Sequence, residues 1–263
     1  MYVTQAVLSL VFLVAQIFVF SQLAVAGHKL KTDFDIVAFQ QNSAPKYLMN
    51  RGNRQGVCGD IYARLQERLK NKGVELVVFD HLLPIRRILE TLKVSGSGIF
   101  CGATRDNERE KIFTYSSQPI YSVLNILVTN SSNKYNPISL EDLQLSNASV
   151  GTYFGTGSAK YLKAMGITRV NGKFRSIELG LRSVAAHEID YFFYHDLGLD
   201  YSLAQNSKAL RRVPTIFRTY SHWMIYSKDM PEGLQEMVDE ELIKLIDEGV
   251  VDNIRKKYQS SLN

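Results

Sequence analysis

Two arginines stand in the polar segment that follows a short apolar run. Ile99-Phe100-Cys101 stops at Gly102, and Thr104-Arg105-Asp106-Asn107-Glu108-Arg109-Glu110 follows almost at once. A guanidinium offers a planar pair of donors that a carboxylate meets in two parallel hydrogen bonds, so Arg105 or Arg109 could anchor an anion. A buried strand ending in a cationic loop is also where an α/β fold places a ligand, at the carboxyl ends of its strands. From charge alone, Arg105, Glu108, Arg109 and Glu110 read as well as a solvated charge run. A second group is Phe154-Gly155-Thr156-Gly157-Ser158. Its glycines permit close backbone approach, and a helix starting there presents free N–H groups; the plainer reading is a tight turn. Lys160 replaces the third glycine of a dinucleotide fingerprint, and no Gly-Lys-Ser/Thr marks a P-loop. His195 and Asp196 form a third group, although a lone histidine is more often a satisfied polar residue than a catalyst.

These groups need elements to hold them. Phe34–Phe39 reads as a buried first strand. Asp60 is placed to cap a helix whose Ile61, Leu65 and Leu69 recur at helical spacing and which Gly73 can stop. Val74–Phe79 is a second strand, Pro84 suits the first turn of the next helix, and Ile99–Cys101 is the third strand of a parallel βαβ series. Val123–Thr129 reads as a strand, as does Ser149–Tyr153, and Ser176 caps a later helix. Arg211–Phe217 reads as another strand. Asp229-x-x-Glu232, with Pro231, resembles a capping box ahead of a long amphipathic helix. A short last helix runs from about Val251 to Tyr258. The two cysteines, Cys58 before the first helix and Cys101 at the end of the third strand, fall on one edge of a doubly wound sheet. A disulfide between them is expected in an oxidising compartment; two inert buried thiols, or one reactive thiol, are the alternatives.

The chain has 263 residues, a net charge of +5 and 45% hydrophobic residues. That is enough for two modest lobes, since domains mostly run about 100–150 residues. No basic run exceeds three residues, so nucleic acid is not a candidate partner. Residues 1–26 carry no charged side chain and end in Ala24-Val25-Ala26, the pattern of a signal peptide cut after Ala26. A single membrane anchor is the alternative. Five histidines without metal spacing, no Gly-x-Ser-x-Gly and no cysteine beside a recognisable base give no reason to expect a metal, a cofactor or an enzyme.

Arg105-x-x-Glu108-Arg109 followed by Tyr115-Ser116-x-x-Pro119-Ile120-Tyr121 resembles the family 3 extracellular solute-binding proteins. Their first lobe carries a strand, an arginine motif and Phe-Ser-x-Pro-Tyr in this order. Gly56-Val57-Cys58-Gly59-Asp60 resembles the family's Gly-x-x-x-Asp-Leu. Ser139-Leu140-Glu141-Asp142-Leu143 resembles its Ser-Leu-x-Asp-Leu, and Ser149–Ser158 its strand–Gly-rich turn–helix. Two departures stand out. Pro84-Ile85-Arg86-Arg87 replaces the family's Pro-Trp-x-Arg and removes a common stacking group. The residue five after Asp190 is His195 rather than an aspartate, with Asp196 one further on, and a one-residue slip reverses the face a strand residue shows.

The resemblance covers about Phe34 to Tyr258. It implies an α/β fold of the type II periplasmic-binding-protein kind, with two lobes that are each a mostly parallel sheet flanked by helices, and two crossings between them. Lobe one would be 27–122 plus 222–263, and lobe two 123–221. The implied ligand set is Arg109 as main anchor, with Tyr47, Thr104, Arg105, Gly155, Thr156, Gly157, Ser158, His195 and Asp196. The implied protein is a periplasmic monomer that captures a small polar, carboxylate-bearing solute and passes it to the membrane subunits of an ABC importer. Two alternatives are a periplasmic enzyme on the same fold, like cyclohexadienyl dehydratase, and a solute sensor partnered with a membrane signalling protein.

Overall fold

The computed structural model describes residues 35–50, 53–206 and 209–260. The segment read as a signal peptide lies outside the described residues. In chain order the first part is β1 (Asp35–Gln41), β2 (Leu48–Asn50), β3 (Asn53–Gln55), α1 (Val57–Lys70), β4 (Glu75–Leu83), α2 (Ile85–Lys93), β5 (Gly98–Ala103), α3 (Asn107–Glu110), β6 (Phe113–Tyr115) and β7 (Tyr121–Asn130). Then come α4 (Leu140–Leu145), β8 (Val150–Tyr153), α5 (Ser158–Ala164), β9 (Val170–Phe174), α6 (Ile177–Ala185), β10 (Tyr191–His195), α7 (Asp196–Asn206) and β11 (Leu210–Arg212). The chain closes with β12 (Arg218–Ser227), α8 (Glu232–Asp247) and α9 (Val250–Ser260).

Among the described residues, ten strands form one sheet in the order β4-β1-β5-β12-β7-β10-β8-β9, with β6 against β12 and β11 against β7. Pairing is parallel at β1/β5, β8/β10 and β8/β9. The long strands β7 and β12 run antiparallel to each other from Arg218↔Asn125 to His222↔Tyr121. β12 also pairs antiparallel with β5, and β7 with β10. These two strands are therefore the crossings of a two-lobed type II architecture.

The apolar residues divide accordingly. One cluster gathers β1, α1, α2, β5, α8 and α9 around Ile36, Ile61, Leu65, Phe100, Met224 and Leu242. Two others cover opposite faces of the sheet around β10, where side chains alternate. Phe192 and Tyr194 join Ile126, Leu181 and Val184, while Tyr191 and Phe193 join Leu127, Val150 and Leu162. A strand flanked by helices on both sides is apolar on both faces, as β10 is.

Local signals placed some boundaries and missed others. Ser139 and Ser176 cap their helices, accepting from the amides of Asp142 and Leu179. Asp60 does not cap α1, which begins nearly a turn earlier. The amides of Val57 and Cys58 donate to the carbonyls of Pro45 (3.0 Å) and Lys46 (2.9 Å), so the preceding loop does the capping. Asp60 instead accepts from Tyr258 Oη and Lys257 Nζ. Pro231 precedes α8 with no side-chain cap, and Arg211–Phe217 is strand only as far as Arg212. Val213 still donates its amide to Leu127 O of β7 at 2.8 Å, and the chain leaves the sheet at Pro214, which brings no ladder donor.

Candidate functional site

The site is built where β5 ends, opposite the crossings. β5 is buried throughout, and Gly102 near its end has φ +87°. A Cβ on Gly102 would stand 2.7 Å from Lys46 Cδ, 3.1 Å from Tyr121 Oη and 3.3 Å from Cys58 Sγ. Only glycine therefore lets the Lys46 side chain lie across the strand end. Cys58 and Cys101 are joined in a disulfide, which ties the start of α1 to β5.

Lys46 is 3% exposed, and its Nζ donates to Gly102 O at 3.2 Å and lies 5.3 Å from the Phe100 ring centre. No acidic side chain among the described residues pairs with it. Burial, then the nearby Arg109 charge, pull the Lys46 ammonium down to about 7. Arg109, with its side chain 16% exposed, is aimed by its own loop. Its Nη1 donates to Thr104 Oγ1 (2.5 Å) and Thr104 O (3.1 Å), and Nε stands 3.6 Å from Asp106. Asp106 also caps α3 by accepting from the Glu108 and Arg109 amides.

The crossings and the end of β10 close the other side. His222 stacks edge-on with Tyr121, Tyr220 and His195, at centroid distances of 5.2, 5.5 and 5.6 Å. His195 Nδ1 accepts from the Gly198 amide at 3.1 Å, which puts the proton of the neutral ring on Nε2. Burial, then the Lys46 charge, hold both histidines well below the usual range, so both are neutral. Tyr194 lies against Ser43, and Tyr153 Oη donates to Asn42 O at 2.7 Å. Ser43 Oγ, Asn125 Nδ2, His195 Nε2 and His222 Nδ1 are buried polar atoms without a partner. Buried polar groups are normally satisfied, so these atoms call for a partner that the protein itself does not supply, a water or a solute.

Of the residues expected in the ligand set, Thr104, Arg109 and His195 come together here. Tyr47 does not join them: it is 1% exposed, packed against Phe100, with its hydroxyl donating to Cys101 O at 2.7 Å. The β5 carbonyl satisfies it and keeps it in the core. Arg105 turns outward, its side chain 46% exposed, paired with Glu110 and lying over the rings of Tyr115 and Trp223. Asp196 opens α7 and accepts from the Leu124 amide at 3.0 Å. Gly155, at φ +77°, brings its loop against Ile85, whose Cγ2 is 3.1 Å from the place of a Cβ. Thr156 Oγ1 donates to Tyr153 O at 2.8 Å and braces the turn ahead of Gly157 and Ser158.

Sequence reasoning missed Lys46, Ser43, Asn125 and His222. For Lys46 a signal existed: it is the only charged residue between Ile36 and Met49. The two crossing residues carry no local mark, since their place depends on β7 pairing with β12. No group of three or more metal-ligating side chains is present among the described residues.

A family model described as bacterial extracellular solute-binding proteins, family 3, matches residues 36–261. No curated protein matches the chain. Among solved structures, the amino acid ABC transporter substrate-binding protein AbpA from Streptococcus pneumoniae, bound to L-arginine, is similar at TM-score 0.72 and 20% identity, covering 88% of this chain and 97% of that one. The ancestral amino acid-binding protein AncCDT-1, a precursor of cyclohexadienyl dehydratase, is similar at 0.70 and 20%, over 86% and 95%. The GluR0 ligand-binding core from Nostoc punctiforme, in complex with L-glutamate, is similar at 0.69 and 18%, over 85% and 98%.

Proposed function

The chain belongs to the bacterial extracellular solute-binding proteins, family 3, and from that premise we propose that it captures a small polar, carboxylate-bearing solute between its lobes and delivers it to an ABC importer. The observation that carries this reading is the pair of buried, unpartnered imidazole nitrogens, His195 Nε2 and His222 Nδ1, held beside Lys46 and Arg109. Lobe one is taken as 27–122 plus 222–263 and lobe two as 123–221, a division favoured by the separate apolar clusters. In this reading the protein works as a periplasmic monomer after loss of residues 1–26. No helix among the described residues is long and apolar enough to cross a membrane.

Arg109 is the anchor for the carboxylate, and the Gly155–Ser158 turn and His195 face the solute from lobe two. A thermal-shift screen over amino acids, polyamines and organic acids finds the solute, since a ligand at a hundred times its Kd adds about 2.7 kcal/mol of stability. Calorimetry then tests the anchor. Arg109→Lys and Arg109→Ala should each lose at least about tenfold in affinity, or 1.4 kcal/mol. Arg105→Ala should lose less, because its guanidinium is already engaged by Glu110 and two rings. An Arg109→Ala protein that binds like the parent would remove Arg109 from the site.

One observation favours a second reading. The buried His195 Nε2, beside His222 and a lysine held near neutrality, is also equipment for proton transfer. Chemical change of the bound solute, followed by mass spectrometry, would decide for an enzyme.

A further inference from the structure

We infer that Lys46 is a second seat for an anion, so that the cleft selects a solute with two acidic groups over a cationic amino acid; this rests on the solute-binding reading above. An ammonium has three donors. At Lys46 one is placed, on Gly102 O, and no second acceptor bonds Nζ among the described residues. The face of Phe100 offsets only part of the cost of burying the charge. Yet the surroundings are shaped to admit it, since Gly102 at φ +87° leaves room for this side chain and for no Cβ.

The groups facing Lys46 do not supply its counter-charge. From α3 comes Arg109, from β12 His222, from the end of β10 His195, from β7 Tyr121, whose hydroxyl meets Lys46 over Gly102, and from its own loop the Tyr47 ring. All are cations, neutral imidazoles or phenols. The acids at the border are spoken for: Asp196 Oδ1 accepts from the Leu124 amide, and Asp106 caps α3 and stands beside Arg109. An incoming guanidinium or ammonium therefore meets like charge. A second carboxylate meets Nζ and removes an unpaired buried cation, and breaking such a pair commonly costs far more than a surface pair. Because burial and Arg109 hold Lys46 at about 7, anion binding above that pH should also take up a proton.

The full chain is titrated by calorimetry with L-glutamate, glutarate, L-glutamine and L-arginine, on the parent, Lys46→Met, Lys46→Gln and Arg109→Ala. One of the two diacids should bind the parent at least tenfold more tightly than glutamine and arginine. Lys46→Met and Lys46→Gln should each cost that diacid at least tenfold and bring it level with glutamine. At pH 8 the diacid's binding heat should differ between Tris and HEPES for the parent and not for Lys46→Met. Glutamine or arginine binding as tightly as both diacids, or an undiminished preference in a folded Lys46 variant, overturns the second seat. If Arg109→Ala still weakens binding in that case, the solute-binding reading survives. A parent that binds none of the four overturns the second seat, while the solute-binding reading falls only if the thermal-shift screen also finds no solute. The ranking on the parent decides even if the variants fail to fold.

Discussion

Lys46 is a buried base, and its titration leaves a mark on stability. In the unfolded chain it holds its proton up to about 10.5, and in the folded protein only to about 7. Between those values the unfolded state binds more protons, so stability rises with pH. His195 and His222 act in the same sense lower down. Their folded values lie well below 6.5, so stability is lost as pH falls beneath 6.5. The buried phenols, raised by burial, reverse the trend above about pH 10. The ligand-free protein should therefore melt at higher temperature at pH 9 than at pH 7. Lys46→Met should be more stable than the parent at pH 7 and flatter across the interval. Parallel melting curves for the two proteins over pH 7–9 would show that Lys46 keeps its ordinary value.

At the scale of elements, α1 begins where the loop before it ends. Pro45 and Lys46 give their carbonyls to its first amides, Gly56 donates to Tyr258 Oη at 2.8 Å, and Cys58 is linked to β5. One short segment thus seats a helix, a lysine and a strand end together. The disulfide spans 43 residues of sequence, so removing it as Cys58→Ala/Cys101→Ala should cost about 2–4 kcal/mol in chemical denaturation. The solute affinity should fall as well, because Cys58 Sγ and the Lys46 side chain both pack over Gly102. Loss of stability with full affinity would mean that the link braces the lobe without shaping the site. This segment also shows what a sequence makes legible. The alternation of strands and helices, the Ser176 cap and the pairing of the two cysteines are carried by neighbours in the chain or by composition. The place of Lys46, the burial of Tyr47 and the release of Asp60 from capping are not. Each is decided by a partner from another element, at Gly102, at Cys101 O and at Tyr258.

For the whole molecule, some contacts cross between the two lobes. Tyr153 Oη donates to Asn42 O, and Gly155 rests on Ile85. Such bonds join the halves on either side of the proposed site and add little to either core. Tyr153→Phe should reduce solute affinity by about 0.5–1.5 kcal/mol, the net worth of a typical hydrogen bond. The melting temperature of the ligand-free protein should stay unchanged; an equal drop in both quantities would make Tyr153 a core residue instead. The crossings have a further consequence, in time rather than in space. β12 covers β5 with Trp223 opposite Ala103, and α8 and α9 complete the same apolar cluster. As the chain emerges from its N-terminus, β5 therefore waits for that partner while the whole second lobe follows. The lobe that holds Lys46 and Arg109 is begun first and finished last, and its apolar strand edge must be shielded in the interval.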